Sequence, residues 1–514
     1  MITLPNECIS EIFAHLPVDI NYRKYLFSCL LVNRQWCRNA VPILWKEILQ
    51  SNIKPSLLKI YLSSLNEEEQ TLLIPFQISL PTIKKPLFDY ASYTTLIKIS
   101  YLRNGIIEWL RYSNYHPTNE NSAIIQAISH SLISMFIRTS KNLKEMFIPD
   151  DNELNMFPSA VSFVNYKPGL SQLVKLECRL YAHDYFNISI TLEFIKALSM
   201  ICTNLREIYF SFKSSNPSDE LITSCSNIIK AQKKLRGLHI NQALGNTGKL
   251  IVALDQKPFL KYLKFIKVDF STISSFDIKA LSRCKNLELL EFIHCKGITL
   301  DHCTSLSNNS LDNLKELKLL SECFESSIVN SLVEMWGSTL ERLYLDQIKT
   351  YELSNTLINR CSNLKYLHVY IKDEYEFLLP FLSQSSLQHF TMTTYHTDNF
   401  SYNLGQNLPI TLKCLELKKC SLTSESFDKL LKNCNHLVKL EKLAIGNDQP
   451  KLEHYISLRE FIKSRESLKE IIFHYKTFFI DVSMEEKIKG IIKEITNRGV
   501  VCSYFGYEDK SDDY

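Results

Sequence analysis

The tightest constraint on this chain is a leucine phrase that returns at a regular interval. It is clearest in residues 412–445, LKCLELKKCSLTSESFDKLLKNCNHLVKLEKLAI. Leu415 and Leu417 sit two apart, so a strand would point both to one face. Cys420 and SLTSESF follow, then Phe427, Leu430 and Leu431 at the spacing of a helix face, with Ser424 placed to cap that helix. After Cys434 the phrase restarts at Leu440, Leu443 and Ile445.

The first leucine recurs at Leu143, Leu173, Leu205, Leu235, Leu260, Leu287, Leu314, Leu340, Leu364, Leu387, Leu412, Leu440 and Leu468, a mean period of about 27. The residues three and five further on are apolar in every copy, from Met146 and Ile148 to Ile471 and Phe473. Strand, turn, helix and restart at that period define a leucine-rich repeat. A helix-only chain would show 3–4 spacing with no long-range register. Parallel strands pack about 4.8 Å apart and helices roughly 8–10 Å apart, so units of one strand and one helix must bend with the strands inside. The expected fold is α/β: a solenoid with a curved parallel sheet inside and helices outside, preceded by an all-α module.

Composition narrows the function classes. Lys plus Arg number 59 against 55 Asp plus Glu, a net charge of +4, which gives no support for nucleic acid as the main ligand. No apolar run approaches the roughly 18 residues of a membrane span. MITLPNECISEIF carries acids where a secretory signal has a basic flank, so the 15 cysteines are expected as reduced thiols in the cytoplasm or nucleus.

Residues 1–46 are a separate helical module. NECISEIFAHL aligns Ile9, Ile12, Phe13 and Leu16, with Pro17 to stop the helix; YRKYLFSCLLVNRQW aligns Tyr22, Leu26 and Leu30 before Trp36; VPILW ends the segment. Three short helices here carry more apolar surface than they can bury among themselves. The ordered set Leu4, Pro5, Glu7, Ile9, Ile12, Phe13, Leu16, Val32, Trp36, Leu44 and Trp45 resembles the F-box. CLLVNRQWC followed by VPILW is similar to fungal F-box proteins that carry leucine-rich repeats, while the polar stretch 19–24 departs from the family pattern. The resemblance implies docking on the Skp adaptor of a Skp–cullin–F-box ubiquitin ligase, and through it on a cullin. Leu4, Pro5, Ile9, Ile12, Phe13, Leu16, Leu26, Leu30, Val32 and Trp36 are the expected adaptor-binding residues. The plainer alternative is a helical cap on the array with no partner.

Residues 47–140, interrupted by Pro75, Pro81 and Pro86, read as a helical linker or irregular early repeats. The solenoid is expected over 141–506, with a polar tail at 507–514. Near its end, Ser483 to Glu486 forms a capping-box pattern, Gly499 stops the helix, and VVCSYF supplies a last strand.

No catalytic constellation stands out, and neither cofactor nor metal is expected. Gly245 to Leu250 is too short for a phosphate loop, and Leu250 stands where such a loop needs Ser or Thr. His294-Cys295 and His302-Cys303 could be imagined as zinc ligands, but Cys295 lies eight residues after Leu287, as Cys420 does after Leu412, which is a repeat position. The informative surface is the inner strand face, where Tyr209, His239, Tyr262, Glu291, Lys318, Tyr344, Tyr366, His368 and His389 are expected to meet a protein target. The expected function is non-enzymatic: a substrate receptor of a ubiquitin ligase. The alternatives are a binding scaffold unconnected to ubiquitin and a GTPase stimulator using Arg179.

Overall fold

The computed structural model describes residues 4–16, 22–46, 49, 53–78, 80–81, 86–113, 115, 123–148, 157, 167–180, 185–212, 217–245, 247–307, 311–346, 348–371, 375–394, 401–420, 422–446, 450–463, 465–475 and 482–506. Pro17 and the tail 507–514 fall outside them. The backbone divides into two units, residues 1–260 and 261–514.

The first unit opens with α1 (Asn6–Ala14), α2 (Tyr22–Leu30) and α3 (Arg34–Lys46). VPILW lies inside α3 rather than after it, Pro42 included. Ile9, Phe13, Leu26, Cys29 and Ala40 form the core of this head, with Leu16, Leu30 and Trp36 packed around it. Phe13 and Trp36 meet edge to face at 5.4 Å. Asn6 ties the ends together by accepting from both Gln35 and Asn39. Trp45 serves a different end: its ring packs on Tyr61 and Tyr90, joining α3 to the helices that follow.

Those helices run from Pro55 to Thr139, with β1 (Leu96–Lys98) among them. Asn66 and Glu69 form a capping box at the head of the helix Glu67–Thr71. The buried Glu69 carboxylate also takes two bonds from Arg138, at 2.7 and 2.9 Å. Four further strands follow in this unit: β2 (Glu145–Ile148), β3 (Lys175–Leu180), β4 (Glu207–Phe212) and β5 (Gly237–Asn241). All pair in parallel, with Ile97, Met146, Leu176, Ile208 and Leu238 in one row. Strand β1 was not legible in the leucine count, because Thr94 holds the first-leucine position before it.

The second unit contains β6 (Tyr262–Ile266), β7 (Leu289–Ile293), β8 (Glu316–Leu320), β9 (Arg342–Leu345), β10 (Tyr366–Ile371), β11 (His389–Thr394), β12 (Cys414–Lys418), β13 (Lys442–Gly446), β14 (Glu470–Tyr475) and β15 (Val501–Gly506). Each pairs in parallel with the next, and the row Leu263, Leu290, Leu317, Leu343, Leu367, Phe390, Leu415, Leu443, Ile471 runs through nine of them. These residues and every counted first leucine are buried. The phrase therefore builds the core it was expected to build.

Three local devices hold the repeats. At the entries of β2–β5 and β7–β14 two successive N–H groups share one carbonyl of the preceding unit, as Lys315 and Glu316 do with Glu288. The residue just past the strand turns left-handed in Lys267, His294 and Lys419, which drops the next residue, such as Cys295 or Cys420, into the core. Phenylalanines then fill the interior: Phe292 contacts Phe265 at 5.5 Å, Phe270 at 5.6 Å and Phe324 at 6.4 Å.

Two expected caps differ in detail. Thr423, not Ser424, caps the helix Ser424–Asn433, its hydroxyl accepting from the Ser426 N–H; Ser424 is already in the first turn. The last helix, Val482–Thr496, begins before Ser483; the Ser483 side chain lies outside those described, and Glu486 is exposed. Gly499 does end the run, at φ +84°, and β15 follows.

Candidate functional site

Two surfaces are candidates: the sheet face away from the helices and the apolar skin of the head. On the sheet, alternation sends the core row inward and leaves the residues between on the open face. In the first unit this places Tyr209 beside His239, ring centroids 6.0 Å apart, with Asn241 donating to the Tyr209 hydroxyl at 2.9 Å. In the second unit Tyr344 lies 5.0 Å from Tyr366 and 5.7 Å from His368. His389 and Tyr262 are exposed nearer the strand starts.

Tyr344, Tyr366 and His368, all in the second unit, border a hollow of about 300 Å³, lined also by Lys264, Lys318, Tyr370, Thr393, Lys418 and Lys419 among others. Tyr370, Thr393 and Lys418 were not among the expected residues. Tyr370 is the next outward position after His368 on β10 and Thr393 the second beyond His389 on β11, so carrying the alternation further would have found them; Lys418 is on β12, where no residue was expected.

Glu291 sits beneath the hollow, its side chain 5% exposed, and binds Lys318 at 2.7 Å and Lys264 at 3.0 Å. Burial alone would raise its carboxyl, but the two ammonium groups outweigh that and hold it below the usual range. Burial likewise works against the Lys318 charge, and Glu291 with Glu316 overcomes it, so Lys318 titrates above its ordinary value. Glu291 thus organises the lysines rather than offering itself to a partner. Lys318 also lies 4.7 Å over the Tyr344 ring, and Arg342 5.4 Å over Tyr366.

His368 is buried, with Nε2 at 3.0 Å from the Thr393 hydroxyl. Burial first, then the charges of Lys418 and Lys318, push its imidazole down to about 3 from an ordinary 6.5. It is a neutral wall of the hollow. The unfolded chain binds a proton that the folded one refuses between those two values, so this residue makes stability fall as pH drops from 6.5 toward 3. His368→Gln, which keeps a group able to bond Thr393, is expected to flatten that acid limb in urea melts across the window.

The head gives a divided picture. Ile9, Phe13 and Leu26 are spent on its own core, Leu16, Leu30 and Trp36 are half-buried against it, and none of the first three reaches the surface. The spacing aligned Ile9, Ile12, Phe13 and Leu16, but Ile12 lies on the flank and is 40% exposed. Leu4, Pro5, Tyr25, Phe27, Leu31 and Val32 are exposed too, Phe27 at 60% and Leu31 at 77%. Phe27 and Leu31 were not among the expected residues, because they lie off the aligned positions Tyr22, Leu26 and Leu30.

The remaining candidates resolve into scaffold. His302 caps its own helix, Nδ1 accepting from the Thr299 N–H while Nε2 meets the Ile273 carbonyl. His454 repeats the device with Lys451 and Leu422. Burial pushes the Cys295 thiol up to about 12 and the Cys303 thiol up to about 11. Among the described residues no His, Cys, Asp and Glu cluster could hold a metal ion. Lys249 is bound by the Asp219 carboxylate and the Thr223 hydroxyl, and Arg179 pairs with Glu177 at 3.2 Å. No described helix is long and apolar enough to cross a membrane.

A parallel strand-and-helix array of leucine-rich-repeat type with a three-helix head is the class these features define. Residues 1–51 match the family model described as F-box-like. The chain therefore has the architecture of an F-box and leucine-rich-repeat protein, the layout of a substrate receptor. No curated protein matches it. Among solved structures it is similar to one titled as the crystal structure of a TLR13–ssRNA13 complex, at 15% identity and a TM-score of 0.29. That match covers 66% of this chain, which spans 64% of the other, and at that score it carries no argument.

Proposed function

We propose that this chain is a substrate-receptor subunit of a Skp–cullin–F-box ubiquitin ligase. Its head docks the Skp adaptor, and the adaptor joins it to a cullin. The open strand face holds a protein target, and ubiquitin transfer gains from the raised local concentration of that target, with no chemistry in this chain. Such a role places the protein in the cytoplasm or nucleus. The observation that carries the reading is the exposed apolar set Leu4, Ile12, Phe27, Leu31 and Val32, on a segment that matches the F-box-like model. A head serving only as a cap would turn these side chains toward the array, as it turns Trp45.

Co-expression with a Skp-type adaptor is the test. The adaptor is expected to co-purify with the intact chain in a one-to-one complex that survives size-exclusion chromatography. Elution of the folded chain free of adaptor would instead favour a scaffold unconnected to ubiquitin.

A further inference from the structure

We propose that the hollow across β6–β12 selects an acidic segment of the target protein, seating a carboxylate side chain among Lys264, Lys318, Lys418 and Lys419 with its apolar stem against Tyr344, Tyr366 and Tyr370. This rests on the strand face being the target-binding surface and names the chemistry it accepts.

Counted whole, the face carries both signs of charge. Exposure separates them. The carboxylates are the covered partners: Glu291 is 5% exposed and already bound to two lysines, and Glu316 is 18% exposed and lies between Lys318 and Arg342. Glu416 receives the Thr391 hydroxyl at 3.2 Å. The lysines lining the hollow stand somewhat further out, Lys264 at 25%, Lys318 at 23% and Lys418 at 30%, although Lys418 also lies 3.9 Å from Glu416, itself 22% exposed. Among the described side chains lining the hollow are four lysines and no carboxylate.

Donor chemistry points the same way. Ammonium groups only donate hydrogen bonds, and the Tyr366 hydroxyl is already engaged with Thr391. An incoming group that accepts several bonds matches such a wall, and one that brings further donors does not. Burial first keeps the His368 imidazole neutral, and the charges of Lys418 and Lys318 add to that. Tyrosine rings around the ammonium groups give a peptide's apolar atoms a rigid surface at small entropic cost. A hollow of about 300 Å³ has room for a few side chains and not for a folded domain, so the occupant is a segment.

The test uses the full chain and three synthetic 12-residue peptide pools with randomised flanks. Two central positions are fixed as Glu, as Gln or as Lys, and binding is read by fluorescence anisotropy. The Glu pool is expected to bind at least tenfold tighter than the Gln pool, the Lys pool weakest, with the Glu preference falling as salt is raised. Lys418→Glu should remove most of the preference, Lys418→Gln part of it, and Lys285→Glu, on a remote exposed turn, none. Circular dichroism on each variant separates lost binding from lost folding, and the milder Gln variant keeps the test open if the first misfolds. Equal binding of all pools, no binding of any, or a preference untouched in both Lys418 variants would overturn the proposal. Adaptor capture by the same preparation then shows whether the receptor reading fails with it or stands alone.

Discussion

Ile12→Asp combined with Val32→Asp is expected to weaken capture of a Skp-type adaptor by about 30-fold or more, roughly 2 kcal/mol, without lowering the melting temperature. The two side chains are 40% and 57% exposed, so a carboxylate on each costs the free protein little. At an interface the same carboxylates would be taken from water without a partner. Phe13→Ala gives the contrast: it empties the centre of the head core, where Phe13 meets Trp36. It is expected to unfold residues 4–46 together with binding, by ~3–5 kcal/mol. Titration of labelled adaptor by fluorescence, with thermal melts of each variant, distinguishes a lost surface from a lost fold. Unchanged affinity in the double aspartate variant would remove the head from the adaptor interface.

The second large effect is expected in the repeats. Phe292→Ala should destabilise the second unit by about 3–5 kcal/mol in urea unfolding, because the ring touches three other phenylalanines and leaves a cavity that rigid strands cannot close. Repeat units gain much of their stability from their neighbours, so the loss spreads to adjacent units. Phe276→Ala, on a ring that is 80% exposed, should change stability by no more than about 0.5 kcal/mol. Equal effects at the two positions would mean that the phenylalanine interior is not what holds the stack.

The repeats were legible because one physical rule governs every copy. A buried strand row needs an apolar residue at the same two positions each time, and Leu263 to Ile471 satisfy it without exception. Strand β1 escaped because Thr94 replaces leucine; its buried side chain holds the position without the apolar signature. Caps were less legible for a similar reason. Thr423 and Ser424 both carry a hydroxyl that can cap, and only backbone geometry decides between them.

The candidate sites were half legible. Alternation along a strand tells which residues face outward, so Tyr344, Tyr366 and Lys318 were expected on the face where they line the hollow. It does not tell which outward residues are drawn under their neighbours. Glu291 reads as an exposed acid and is instead the covered counter-charge of two lysines. In the head, spacing grouped Ile9, Ile12 and Phe13 on one side of a helix, whereas packing split them between core and surface. A short helix has so wide an apolar arc that a single neighbour cannot cover it.

Hydrogen–deuterium exchange on the chain alone and in the presence of a Skp-type adaptor puts the division of labour to the most direct trial. The expected result is slowed exchange over Asn6–Ala14, Tyr22–Leu30 and the residues just after them, with β6–β13 unchanged. Protection confined to the strand face, or a folded chain whose head exchanges identically with and without adaptor, would contradict it.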